Sequence, residues 1–357
     1  MKKVFVGLSG GVDSAVSAAL LKRAGFDVTG VFIRIALPGY PCPAVQDRLE
    51  AMRVAAHLRI PFREIDLSIA YKEKVFAYTL TEFARGRTPN PDTLCNREVK
   101  FGLFFDYAMS MGADFVATGH YAQTVSGVSK KTFTTLRTSV DSEKDQSYFL
   151  WMVQEAQLSR TLFPVGQKTK SIVRTLAKKF GLPNARRKDS QGLCFLGNIS
   201  VEDMLEKELH PQSGNVLSES GEVIGRHNGS ILYTLGQRHG FAVFNASKLE
   251  QQPRFVIAKD TLLNTITVSQ NKFPTGKTRT LLTLTDTNWI GTAACGEYKA
   301  RFRYRQTLIP CTLLSVEGRG ALVELHVPHY VPEGQSLVLY DSARCLGGGV
   351  VDKSTQK

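Results

Sequence analysis

Two short stretches hold the side chains best suited to covalent chemistry. TPNPDTLCNREVKFG, residues 88–102, carries Cys95 three residues after Asp92, and DSQGLCFLG, residues 189–197, carries Cys194 behind the basic run ARRK. Pro89 and Pro91 stiffen the first stretch as an extended loop. Asn96 is placed to cap a following helix, which would put Cys95 near a helix N-terminus, where a thiolate is favoured. Asp92 then lies close enough to move a proton at the same centre. Cys194 follows the flexible Gly192, and positive neighbours such as ARRK lower a thiol pKa. Taken singly, each stretch also fits a capped loop with a bystander cysteine.

A third stretch handles a different group. GLSGGVDSAV, residues 7–16, runs from the β-rich KVFVG into an alanine- and leucine-rich helix. A strand, a glycine turn and a helix N-terminus gather backbone N–H groups around one anion. The lysine of G-x-x-x-x-G-K-[ST] is missing, and so is G-x-G-x-x-G. A hydroxyl-lined cup ending in Asp13 instead suits a released pyrophosphate and its magnesium, although the glycines would also serve a plain strand-to-helix turn.

These loops need elements to aim them. KVFVG, DVTGVFIRI, FREIDL and DFVATGH have strand composition, and the runs 15–23, 46–58, 71–84 and 100–111 have helical apolar spacing. Alternating β and α elements predict a parallel sheet covered on both faces, with ligands at the carboxyl ends of its strands. Residues 145–208 read as helical and charged. Short strands with Gly, Asn and Ser turns follow, and TLLTLTD, KARFRYRQ, CTLLSVEG, ALVELHV and SLVLYD alternate at period two, as in a small antiparallel barrel. The fold class expected is therefore α/β, with a catalytic domain over 1–210, a small β-rich domain over 211–275 and a C-terminal β-barrel over 276–357.

Bulk composition sets the partners. Of 357 residues, 45 are Lys or Arg and 32 Asp or Glu, a formal net charge of +13 that favours a polyanion such as nucleic acid. No signal-peptide core and no uninterrupted apolar run of membrane-spanning length is present, so a cytoplasmic protein without a membrane partner is expected. The six cysteines are scattered without a CxxC pair, which leaves out a zinc knuckle or a secreted disulfide framework.

SGGVDS matches the pyrophosphate loop of ATP pyrophosphatases, a class that includes amidating, ligating and thiolating enzymes. GLSGGVDS, GRTPNPDTLCNREVKFG, ATGHYA, KDQSYFL, LFPVG, DSQGLCFLG, YTLGQRHG, RFRYRQ, PCT and CLGGGV, in that order, together resemble the tRNA-specific 2-thiouridylases over the whole chain. The resemblance implies an adenine-nucleotide α-hydrolase-like N-terminal domain. It also implies ATP-dependent thiolation of the wobble uridine of tRNA, by adenylation of the C2 oxygen and sulfur transfer from a cysteine persulfide.

Position by position, it makes Cys194 the persulfide carrier, Cys95 the partner or resolving thiol and Asp92 the acid/base group. ATP would meet Gly7, Leu8, Ser9, Gly10, Gly11, Val12, Asp13, Ser14, Ile33 and Gly119, with Asp13 helping to place Mg2+. The target base would meet Asn90, Pro91 and Asp92. The tRNA, by resemblance a Lys, Glu or Gln isoacceptor, would meet His120, Lys144, Asp145, Gln146, Arg303, Tyr304 and Gln335. A persulfide donor such as a cysteine desulfurase or a sulfur-relay protein is implied. Residues 34–48 lack the Asn-Trp-acidic stretch of many members, and Cys42 within them is read as non-catalytic. The rivals are another pyrophosphate-loop amidotransferase or ligase, which would not need Cys95 and Cys194, and a tRNA-binding protein that has lost catalysis.

Overall fold

The computed structural model describes residues 1–41, 44–125, 133–188, 194–197, 199–244 and 252–357. The expected central strands form at short runs that, apart from the half-exposed edge strand Phe62–Asp66, are buried on both faces, as a covered parallel sheet requires. They are β1 (Lys3–Gly7), β2 (Asp27–Arg34), β3 (Phe62–Asp66) and β4 (Phe115–Ala117). Within β1, Val4 and Val6 face one side and Phe5 the other, and each joins a different core.

The first core packs α1 (Val12–Arg23), α2 (Ala44–Leu58) and the later helix Lys170–Lys179 against the sheet through Val16, Val54 and Val173. The opposite face is covered by a chain of short helices: α3 (Ser68–Tyr71), the π-helical Lys72–Phe76, α4 (Ala77–Ala84), α5 (Pro91–Cys95), the π-helical Asn96–Leu103 and α6 (Phe104–Ser110). Tyr71, Val75, Phe83, Val99 and Phe104 form that second core.

Two strands, β5 (Ala122–Val125) and β6 (Thr135–Thr138), leave the parallel sheet as a hairpin, and α7 (Glu155–Leu158) leads into its last strand, β7 (Thr161–Leu162). The sheet order is β3-β2-β1-β4-β7, parallel throughout. Connections reverse direction between β1 and β4, so a crevice opens beyond Gly7 and Ala117, the place where such sheets bind ligands. Helices α8 (Lys170–Lys179) and α9 (Val201–Leu209) complete this part.

A second sheet, in the order β10-β9-β8-β12-β11, is built from β8 (Gly214–Leu217), β9 (Val223–His227), β10 (Phe241–Val243), β11 (Phe255–Asp260) and β12 (Thr265–Ser269). The last six strands are β13 (Thr280–Trp289), β14 (Gly296–Arg301), β15 (Ile309–Glu317), β16 (Gly320–Leu325), β17 (Ser336–Asp341) and β18 (Arg344–Gln356). Pairing of β13 with β18 closes them into the expected barrel. One join goes beyond the sequence reading: β6 pairs with β18, so the hairpin extends the barrel sheet. Among the described residues no helix is long and apolar enough to cross a membrane.

Candidate active site

A cavity of about 620 Å3 occupies the crevice and is lined by Ser9, Gly11, Asp13 and Ser14 as well as by Asp92, Lys100 and Cys194. Its two ends are built differently. At the first, α1 begins at Gly11 with no side-chain cap on its N–H groups. Those donors, the Ser9 and Ser14 hydroxyls and the helix dipole present an anion site. Gly10 adopts φ +75°, and a Cβ there would meet the Asp47 carbonyl at 2.6 Å, so only glycine fits the turn. Gly119, beyond β4, is needed for close approach, because its Cβ would lie 2.7 Å from the Ser14 backbone nitrogen.

The cation missing from the loop comes from elsewhere. Lys170, the first residue of α8, sits 2.8 Å from both Asp13 carboxylate oxygens, and the Tyr121 hydroxyl donates to Oδ1 at 2.8 Å. Beneath the turn, Asn184 donates to the Gly10 carbonyl at 2.8 Å, and Arg187 pairs with Asp47. Of these partners only Arg187, within ARRK, carries a reading in the sequence, and that reading concerns Cys194. Ile33 lines the cavity, and Gly10 does not.

At the other end the cap differs from expectation. Asn90, not Asn96, caps the helix: its side chain accepts from the Thr93 N–H at 3.2 Å, and Pro91 takes the first helical position. Asn96 is buried, donating to the Phe149 carbonyl at 2.9 Å. Cys95 is therefore the last residue of a single turn, 0% exposed, and its sulfur lies 3.4 Å from that of Cys194.

The expected Cys95 thiolate is corrected accordingly. Burial, followed by its hydrogen bond to Cys194, pushes the Cys95 thiol well above its ordinary value. Cys194 is held below its own, chiefly by that same bond and then by Lys100. The positive charge that lowers Cys194 is that of Lys100, which the sequence reading did not name, and Asp92 opposes it. Burial also raises Asp92, with Lys100 and the Cys194 N–H opposing. Gly192 and Cys42 lie outside the described residues.

The matching family models are the tRNA methyl transferase HUP domain over residues 2–198, the tRNA methyl transferase PRC-barrel domain over 202–270 and the aminomethyltransferase β-barrel domain over 279–351. The tRNA-specific 2-thiouridylase MnmA of Nitrosomonas eutropha is 41% identical over 99% of this chain and 99% of its own. That of Enterococcus faecalis is 41% identical over 99% and 96%, and that of Cupriavidus metallidurans 42% identical over 98% and 99%. The chain belongs to the tRNA-specific 2-thiouridylase family.

In this 2-thiouridylase fold the residues expected to meet tRNA separate into three groups. Lys144, Gln146, His120 and Tyr304 line the cavity, with the Tyr304 ring 4.8 Å from that of Phe149. His120 is buried between Phe101 and Phe163, with its Nδ1 2.7 Å from the Thr118 hydroxyl. Burial and then Lys100 hold its pKa well below the ordinary value, so it stands as a neutral imidazole.

Asp145 is a correction. It is 4% exposed and pairs with the buried Arg301, while also accepting from Ser147, which leaves no face for RNA. Arg303 and Gln335 lie outside the cavity lining, as do Asn90 and Pro91. Arg303 donates to the Leu235 carbonyl, and Gln335 donates to the Thr88 carbonyl at 2.9 Å, supporting the loop that leads to Asp92. The run KARFRYRQ is also not one strand. Strand β14 stops at Arg301, and Arg305, unnoticed in the sequence, lines the cavity beyond it.

Proposed function

We propose that this enzyme installs sulfur at C2 of the wobble uridine of tRNA, using ATP to activate the oxygen and a Cys194 persulfide to replace it. The observation that carries the reading is the 3.4 Å contact between the Cys95 and Cys194 sulfurs at the wall of a cavity whose far end is the SGGVDS loop. A small-molecule ligase built on the same loop would have no use for that pair.

The loop and the N-terminus of α1 receive the β- and γ-phosphates, with Ile33 and Gly119 beside the adenosine. Asp13, Ser9 and Ser14 offer the hard oxygen donors that magnesium prefers. Among the described residues no cluster of three His, Cys, Asp or Glu could hold a metal alone, which suits an ion arriving with the nucleotide. Bound there, magnesium would neutralise the departing pyrophosphate, with Asp13 exchanging its Lys170 contact for the ion.

The uridine O2 attacks the α-phosphorus, the α–β phosphoanhydride bond breaks, and pyrophosphate leaves. The outer sulfur of the Cys194 persulfide then attacks C2, and the C2–O bond breaks to release AMP. Cys95 attacks the Cys194 sulfur while Asp92 takes its proton, and the S–S bond breaks to free 2-thiouridine. A Cys95–Cys194 disulfide remains for an external dithiol to reduce. The thiols already touch, so this exchange needs no large loop closure.

The test is nucleoside mass spectrometry after incubation with ATP, magnesium, a persulfide source and unmodified tRNA, with peptide mapping after one turnover without reductant. The reading requires 2-thiouridine together with a Cys95–Cys194 disulfide, while Cys42, Cys295, Cys311 and Cys345 stay free. Thiouridine made at the wild-type rate by a Cys95→Ser, Cys194→Ser double variant would exclude the relay.

A further inference from the structure

Lys100 is the cation at the thiol end, and the reaction as written gives it no role. It lies in the π-helical stretch Asn96–Leu103, five residues after Cys95. On an α-helix, residues five apart diverge by about 140°. A π turn closes i to i+5, which returns residue i+5 toward the face of residue i. The sequence provides for this turn: a Cβ on Gly102 would meet the Arg97 carbonyl, five residues back, at 2.8 Å. Lys100 accordingly shares the cavity wall with Asp92 and Cys194, and its ammonium lies 5.7 Å from the ring centroid of Phe195.

The neighbours of this ammonium are unusual. Lys170 pairs with Asp13 and Arg187 with Asp47, whereas among the described residues no carboxylate lies within ion-pair distance of Lys100. A partly buried ammonium without a carboxylate is costly unless another anion compensates it. Burial works to lower its pKa, yet Cys194 first, then Cys95 and Asp92, raise it above its ordinary value.

We propose that Lys100, acting with the hydrogen bond that Cys95 donates to the Cys194 sulfur, holds Cys194 rather than the buried Cys95 as the thiolate of the pair, and so selects which cysteine accepts sulfur. On ionisation the Cys194 proton passes to solvent, Lys100 keeps its own, and Cys95 stays protonated, donating to the Cys194 sulfur. Loading then needs no net redox change: the thiolate attacks the outer sulfur of a donor persulfide, the donor S–S bond breaks, and the donor leaves as a thiol after taking up a proton. The same ammonium faces the outer sulfur anion once Cys194 is loaded. The identity of that loading step rests on the thiolation reading above, but the choice of thiolate does not.

The titratable groups facing Cys194 are Cys95 and Asp92 from α5, Lys100 from the π stretch and Tyr71 from α3; His120 also faces Lys100. The test uses the purified full chain without tRNA, ATP or sulfur. Iodoacetamide labelling rates at Cys194 and Cys95 are measured by peptide mapping across pH. In the wild type, Cys194 labels with an inflection below that of an ordinary thiol and below that of Cys95. Lys100→Met moves the Cys194 inflection up by at least about one unit, a tenfold or greater loss of rate on the acid side, and Lys100→Arg restores most of it.

An unchanged inflection in a Lys100→Met protein with a wild-type circular dichroism spectrum overturns the proposal; if that variant does not fold, Lys100→Gln takes its place. A wild-type Cys194 inflection at or above that of Cys95 overturns it with no variant at all. Thiouridine formation separates the two readings: a low Cys194 inflection without product sinks only the thiolation reading, and normal product with an unshifted Lys100→Met inflection sinks only this one.

Discussion

The two ends of the cavity solve opposite electrostatic problems. The nucleotide end is built from backbone donors, two hydroxyls and a carboxylate already matched by Lys170, so the local charge is balanced within the protein. The thiol end packs Cys95, Cys194, Asp92 and Lys100 together, with no carboxylate among the described residues within ion-pair distance of the ammonium, and each group moves another's proton affinity. The first arrangement suits a polyanion that brings its own cation. The second holds proton chemistry in balance, as catalytic groups whose pKa values are pushed apart tend to do. Adenylation and sulfur transfer should therefore fail separately.

The largest separation is expected from Cys194→Ser. Thiouridine formation should fall by at least about 10³-fold, because the group removed is the sulfur carrier itself, while AMP formation from ATP and tRNA continues. AMP loss equal to thiouridine loss would mean that the two ends act as one unit. The converse variant, Asp13→Ala, should lower AMP formation by about 10²–10³-fold, the usual cost of losing one preorganised electrostatic element, and leave tRNA affinity nearly unchanged. Full AMP formation by this variant would remove the SGGVDS loop from ATP binding.

A pH series sharpens the contrast with a smaller effect. Cys194 has its pKa lowered, so its thiolate is present above that value and is lost as pH falls through it. Loading of sulfur onto Cys194 should drop about tenfold per unit below the inflection. Cys95, raised by burial, should stay protonated until alkaline pH. AMP formation measured in the same buffers should not follow the loading curve. Parallel curves would place the proton-sensitive step outside the thiol pair.

How much of this was readable follows the range of the contacts. The sheet and its crevice were legible because alternation and the strand-to-helix glycine turn are local signals, and SGGVDS carries its helix N-terminus with it. Both thiols and Asp92 were legible by residue type. Their protonation was not, since the burial of Cys95 depends on Asn90 taking the cap that Asn96 was expected to provide. Lys170 lies 157 residues from Asp13 and looks like ordinary helix surface. Asp145 reads as a polar loop residue until Arg301, 156 residues away, covers it. Lys100 was hidden by a π turn, which α-helical spacing places on the wrong face.

The smallest predicted effect lies beyond both ends, at Arg303. The run KARFRYRQ has the alternation of one barrel strand, yet the fold divides it: Arg301 is buried on Asp145, Arg305 faces the cavity, and the exposed Arg303 donates to the Leu235 carbonyl across the join between the barrel and the middle sheet. A guanidinium has five donors, so one bond to a carbonyl leaves others for a phosphate. Arg303→Ala should weaken tRNA binding and make the dependence of log affinity on log salt shallower by about one, the slope of one neutralised phosphate. Cysteine labelling should be unaffected, because Arg303 does not line the cavity. If affinity falls with the salt slope unchanged, Arg303 acts by holding Leu235 in place, and contact with the phosphate backbone must be sought at Lys144 and Arg305 on the cavity rim.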